Sequence, residues 1–273
     1  MTSTGATDLP PRLRGYEADR HLGSGARVAY WIGRRSGDAA AVGLSVVDPA
    51  IAALPGFSQR VTAVVRQVAP LRHPRVVGSI EVAAGDGALA IVTEAVDGVL
   101  VSGLLRPGEL LPAATAAQIV DDVLRAVGAA HAAGIVHCGI LPERVLVTAA
   151  GEVRLDGFAA ARAFALTGGE PGAPPPGFSS PERLGGSLPD GVGDLYASAA
   201  LAHLLFTGAP PRPGTAAPVP ALPAMQPALA QAIAVDPQRR FPSASALRGA
   251  LTAAVADALG DDWRGQSDLA PRA

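Results

Sequence analysis

An α+β chain with two lobes, a small antiparallel sheet carrying one helix and then a larger, mainly helical body, is what three features of this sequence predict. Short apolar segments of strand character, broken by glycine-bearing turns, fill residues 15–97. Past Gly98 the apolar residues recur at helical spacing over long stretches. The chain has 273 residues and is 49% hydrophobic against 17% charged, which is too apolar for a disordered chain and long enough for a sizeable core.

Taken in order, residues 1–14 carry Ser, Thr and Pro with no apolar period and are expected to be a disordered tail. Order starts near Tyr16. Residues 27–32 and 40–47 read as strands of antiparallel hairpins, with Gly23 and Gly25 before them and the turn Arg35-Ser36-Gly37-Asp38 between them. Residues 58–68 have helical spacing, and 76–82 and 88–94 return to strand patterning, which ends at the break Val96-Asp97-Gly98. The second lobe, residues 98–258, opens with a helix over 112–133, where Ala116, Ile119, Val120, Val123, Leu124 and Val127 recur at helical spacing. Two short strands, 145–148 and 152–155, flank the turn Ala149-Ala150-Gly151; a Gly/Pro-rich loop covers 167–178, and a C-terminal tail covers 259–273.

Composition narrows the function. A net charge of −2 offers no excess for holding a nucleic-acid backbone or an anionic membrane. The chain has no lysine and no asparagine, so all 22 basic residues are arginine, and any mechanism that needs Lys or Asn is excluded. The single Cys138 excludes an internal disulfide and a cysteine-rich zinc site, and suits a reducing compartment. The first residues lack the apolar region of a signal peptide and no run reaches 18 apolar residues, so a cytoplasmic chain without a membrane segment is expected.

The run GIVHCGILPERVLVT over residues 134–148 resembles the catalytic loop of bacterial Ser/Thr protein kinases, whose pattern is H-R-D-x-K-P-E-N. Other marks fall in the family's order: Leu71-Arg72-His73-Pro74, Val92-Thr93-Glu94, Ser180-Pro181-Glu182, Asp194-Leu195-Tyr196, and Asp236-Pro237-Gln238-Arg239-Arg240-Phe241. The resemblance covers roughly residues 15–256. It implies a protein-kinase-like fold and a nucleotide cleft at Gly23, Gly25, Gly43, Thr93, Glu94 and Val96.

Phosphoryl transfer is positioning and charge neutralisation, so a kinase needs a lysine on the phosphates, a glutamate holding it, a base and metal ligands. Against the family pattern, Ser45 stands at the lysine, and no acid occurs between Asp48 and Glu81 to be its partner. His137 and Glu143 are kept, but Cys138 replaces the arginine, Gly139 the catalytic aspartate, Leu141 the lysine and Arg144 the metal-binding asparagine. Gly157-Phe158-Ala159 stands at D-F-G, with Asp156 one place early, so that a slip in register would bring Asp156 to the metal position at the expense of Phe158 packing. Arg144 reads either as a solvated loop arginine or as a charge that repels or partly replaces a divalent cation. Cys138 reads as a buried structural thiol. Gly23 and Gly25 match only part of a glycine-rich phosphate loop and also suit a tight turn.

The residues that hold the family's architecture remain: His137, Glu182 and Arg240 as a buried ion pair, and Asp194 bracing the catalytic loop. Scaffold without catalytic residues resembles a pseudokinase. The implied role is a regulatory or scaffolding module with protein partners, such as an active Ser/Thr kinase or a phosphothreonine-binding domain. No cofactor or metal is expected beyond weak, Mg²⁺-independent nucleotide binding. The alternatives are a nucleotide sensor without turnover and an active or atypical kinase. The latter would need a replacement cation and carboxylate drawn from Arg60, Arg66, Arg144, Glu143 and Asp156.

Overall fold

A computed structural model describes residues 10–25, 27–167, 175 and 177–269. The first lobe is a five-stranded antiparallel sheet of β1 (Tyr16–Gly25), β2 (Val28–Arg35), β3 (Ala41–Val47), β4 (Ser79–Gly85) and β5 (Ala88–Glu94), in the spatial order β1-β2-β3-β5-β4. After β3 come a one-turn helix α1 (Pro49–Ala52), capped by the Asp48 carboxylate, and α2 (Phe57–Val68). Phe57, Val61, Val64, Val65 and Val68 share one face of α2, which packs on the Val28, Tyr30, Val47, Leu89 and Ile91 face of the sheet. The other sheet face, with Trp31, Leu44, Val46 and Val92, forms a second cluster with Leu13 and Tyr16.

Leu13 corrects the expected tail. It is buried and bridges to Tyr16, while the Arg14 N–H donates to the Ala84 carbonyl, so the packed chain includes residues before Tyr16. A short apolar residue among Pro and Arg has no period to reveal it; the sheet face supplies its environment. Residues 1–9 lie outside the described residues. The strand expected over 76–82 begins at Ser79 instead. Val76 makes a parallel bridge to Leu155 of the second lobe, and Arg75 and Val77 exchange backbone bonds with Leu155, so this stretch joins the lobes rather than the sheet.

The second lobe starts at β6 (Gly98–Leu100), followed by a one-turn α3 (Val101–Leu104) and the central α4 (Ala113–Ala132). β6 pairs with β7 (Val145–Thr148), which pairs with β8 (Val153–Leu155). Then come α5 (Phe158–Ala165), α6 (Pro181–Leu184), α7 (Gly191–Thr207), α8 (Gln226–Ala232) and α9 (Ala244–Leu259). The apolar residues read on α4 are all buried. The Asp190 carboxylate caps α7 by accepting from Gly193 N–H at 2.7 Å, and Gly208 in the left-handed region ends it. α5 was not expected from the sequence. Most of the loop expected over 167–178 lies outside the described residues.

The described part of the C-terminal tail, up to Leu269, is docked. Trp263 is buried, and Arg264 bonds Asp121 and, at 3.0 Å, Asp122, two buried acids of α4 that Arg125, Arg248 and Arg75 also pair. No helix among the described residues is long and apolar enough to cross a membrane.

Candidate functional site

The cleft between the lobes is built from β3 above and the 137–157 segment below. Ser45 lies mid-β3, between Tyr30 and Ile91 in register, and its hydroxyl donates to Asp156 Oδ2 at 3.2 Å across the lobes. Burial pushes the Asp156 carboxyl up from its ordinary value, against the Gly157 N–H, Arg144 and the Ser45 hydroxyl, which favour its charged form. A small pocket lies here, lined by Gly43, Ser45, Thr93, Glu94, Val96 and Asp156 among others. The Glu94 carboxylate is tied down: it pairs with Arg154 and accepts from Gly78 N–H at 2.8 Å.

Gly23 and Gly25 do not line that cavity. The β1-β2 ladder continues to its tip, with Ser24 opposite Ala29 and Gly25 opposite Val28, so the segment is a tight hairpin rather than an open loop of free N–H groups. Its tip is shut onto the second lobe: a Cβ on Gly25 would overlap the Glu143 side chain. The glycine hairpin and the catalytic loop are thereby in direct contact through Gly25 and Glu143.

Below, the catalytic loop is held by one carboxylate. Asp194, in the first turn of α7, accepts from the backbone N–H of His137 at 2.7 Å and of Cys138 at 2.8 Å, and contacts His131 Nε2 at 2.9 Å. Two such bonds hold Cys138 in the left-handed region, at φ 72°. Burial pushes the His137 imidazole down to about 4, so the ring is neutral, with Nε2–H donating to the Asp156 carbonyl at 3.0 Å. The same ring meets Phe158 edge-on at 4.5 Å, so Phe158 keeps its packing while Asp156 faces the cleft. Burial, with Asp194 adding to it, pushes the Cys138 thiol up to about 12, which leaves no thiolate nucleophile.

Gly139 and Gly157 are glycine for packing reasons. A Cβ on Gly139 would lie 3.2 Å from the Ala161 Cβ on α5, tighter than an ordinary contact. Gly157 has φ 93° and opens α5, and a Cβ there would overlap the Arg144 guanidinium. Arg144 is not a solvated loop arginine: it is 2% exposed, and its Nη1 donates to the Gly157 carbonyl at 3.3 Å. One guanidinium thus fills both positions at which the kinase pattern has metal ligands. Leu141 is buried in the core. α5 itself is apolar on nearly every face and packs under α2, with Phe164 stacked on Phe57 at 5.6 Å and Arg60 Nη1 donating to Thr167 Oγ1 at 3.2 Å.

Of the residues that an atypical catalyst would draw on, Arg144 and Asp156 lie close enough for the guanidinium to favour the charged carboxylate. Among the described residues, Arg60, Arg66 and Arg144 form no ion pair with Glu143 or Asp156. A Mg²⁺-nucleotide does not fit these residues: the buried Arg144 guanidinium occupies the two positions at which the kinase pattern has metal ligands, and Gly25 packs directly on Glu143.

Away from the cleft, Arg240 has a fully buried side chain whose Nη1 and Nη2 each donate to a Glu182 carboxylate oxygen at 2.7 Å. Its Nε donates to the Ala234 carbonyl at 2.8 Å, and its guanidinium lies 5.0 Å from the Tyr196 ring centre. Sequence reasoning missed α5 and its Arg162, whose half-buried guanidinium makes no hydrogen bond or ion pair among the described residues. The run Phe158-Ala159-Ala160-Ala161 was the available signal, since alanine favours helix.

The sequence profile described as the protein kinase domain matches residues 16–247. Serine/threonine-protein kinase PknJ of Mycobacterium tuberculosis is 30% identical over 280 residues, covering 91% of this chain and 47% of that protein. PknI of the same organism is 30% identical over 269 residues, covering 93% and 44%. The chain thus spans about half the length of these curated relatives. The crystal structure of the PknI kinase domain matches with a TM-score of 0.74 at 28% identity, over 89% of this chain and 96% of that one.

Proposed function

The chain belongs to the protein kinase domain family, and from that premise we propose that it is a catalytically inactive member, a pseudokinase that acts as a regulatory or scaffolding module in bacterial Ser/Thr phosphorylation signalling. One observation carries the reading. The Arg144 guanidinium lies where a side chain at Gly157 would have to be, so the two metal-ligand positions are lost as one packed unit and not as two separate gaps. No lysine exists to hold phosphates, and Gly139 offers no base. What is kept, Asp194 on the catalytic loop and Glu182 on Arg240, holds the shape that a binding module needs. Its partners are proteins, an active Ser/Thr kinase or a phosphothreonine-binding domain among them.

Incubation with labelled ATP, Mg²⁺ or Mn²⁺ and a general protein substrate is expected to transfer no phosphate. Reproducible transfer that disappears in Asp156→Asn overturns the proposal.

A second reading, a nucleotide sensor without turnover, draws on the cavity beside Ser45 and Asp156. Ligand that binds only the folded chain must raise its melting temperature. ATP is expected to leave the midpoint unchanged, or to raise it slightly and equally with and without Mg²⁺. A rise that requires Mg²⁺ contradicts the closed cleft.

A further inference from the structure

The pocket beside Ser45 and Asp156 is a slot between two apolar layers, with Leu22 and Ile32 of the sheet above and Leu146 of β7 below. Its cavity volume is about 20 Å³, room for about one water molecule and not for a ring. Tyr30 on β2 lines it. Strand alternation sends the neighbours Ala29 and Trp31 to the opposite face of the sheet, into the cluster of Leu13 and Tyr16, and leaves Tyr30 on the face of the slot. Tyr30 lies opposite Ser45 in register, and Ile32 lies opposite Gly43, so the four residues form two cross-strand pairs over the pocket.

The kinase pattern G-x-G-x-x-G-x-V, counted from Gly23, puts Tyr30 at the valine, so this chain carries an aromatic ring where the pattern has a small aliphatic side chain. Tyr30 is 4% exposed, and its hydroxyl is buried with no hydrogen-bond partner among the described residues. Burial pushes the phenol up from its ordinary value, so the group is a neutral O–H. A buried phenol normally finds a partner, and leaving it unpaired is a net cost. What this side chain contributes is therefore its bulk. We propose that Tyr30 is an internal plug: its ring takes the room that a flat, uncharged heteroaromatic ligand would need between the sheet and Leu146, and its removal opens a latent site for such a ligand. The proposal rests on the pseudokinase reading, because a chain that turned over ATP would need this slot open. It adds that the slot is shut by one replaceable side chain, apart from the missing lysine and metal ligands.

Melting temperature against concentration of adenosine, a flat ring without phosphate or need of Mg²⁺, tests it on the whole chain. Tyr30→Val, which restores the family residue and suits a strand, is expected to bind adenosine at least about tenfold tighter than the parent. Tyr30→Phe keeps the ring and is expected to match the parent. Tyr30→Leu retains more apolar volume and is expected to show the same gain as Tyr30→Val, which covers a valine variant that does not fold. Phenol is the second ligand, because it fits any hole left by the lost ring, whereas adenosine requires that the hole be continuous with the slot. Equal adenosine binding by parent and Tyr30→Val overturns the proposal, as does a gain in Tyr30→Phe as large as in Tyr30→Val. So does a Tyr30→Val chain that binds phenol and not adenosine, or unfolding of both the Val and Leu variants, which would make Tyr30 a core residue and no plug. Absence of the adenosine gain in a chain that transfers no phosphate removes this inference alone, whereas phosphate transfer by the parent removes the pseudokinase reading beneath it.

Discussion

Glu182→Ala is expected to lower the unfolding free energy by about 3–5 kcal/mol, because it strands a charge in a site that water does not reach. The Arg240 side chain is fully buried, and two of its nitrogens each bond one Glu182 oxygen at 2.7 Å. Without that carboxylate, only the Ala234 and Val235 carbonyls and the Tyr196 ring, among the described residues, face the guanidinium. Urea unfolding of the variant beside the parent measures the loss. Glu182→Gln keeps one acceptor and should fall between them. Ser45→Ala gives the scale for an ordinary buried hydrogen bond, about 1 kcal/mol, since it removes the bond to Asp156. A neutral Glu182→Ala would overturn the assignment of this pair to the scaffold.

The same pair sets a pH dependence of definite sign. Burial acts to raise the Glu182 carboxyl, but the two bonds from Arg240 and its charge outweigh it and hold the group below its ordinary value. A depressed carboxyl contributes stability that is complete above its unfolded value, about 4.3, and is lost as pH falls through the lower folded one. The difference between parent and Glu182→Ala should therefore be flat from neutral pH down to about 5 and shrink only below about 4. A difference that grows on acidification would contradict the pairing.

Glu182, Arg240, His137 and Asp194 were legible because each sits inside a short motif with a fixed partner far along the chain. The sheet and α4 were legible because strand alternation and helical spacing are local. What stayed hidden is tertiary. Nothing in the order Leu141-Pro142-Glu143-Arg144 says that the arginine turns inward, and an isolated loop arginine belongs in water. It is buried because Gly157 leaves a gap of its size and a carbonyl to bond. The closure of the hairpin on Glu143 is likewise a contact between lobes, invisible to either segment alone. The burial of Asp121 and Asp122 on α4 also depends on Arg75, Arg248 and Arg264, each distant in sequence.

That interlocking of Arg144 and Gly157 yields the other large effect. Gly157→Asp, the change that restores the family residue, is expected to destabilise the chain by roughly 2–5 kcal/mol. About 1–2 kcal/mol comes from a side chain on left-handed backbone, at φ 93°. A further 1–3 kcal/mol, roughly, comes from the new Cβ overlapping the Arg144 guanidinium in a packed interior. Only the second part depends on the arginine. Arg144→Asn in the same chain removes it, so the double variant should be more stable than the sum of the two singles predicts, by about 1–3 kcal/mol. Urea unfolding of the four proteins closes the cycle. Additivity within about 0.5 kcal/mol would mean that the two positions are independent. A coupling of the expected size means that Gly157 cannot revert at full stability while Arg144 stays, so a return to the kinase pattern that starts at residue 157 must pass through a weakened fold. The changed residues at the two metal-ligand positions of the family pattern are then held in place by packing.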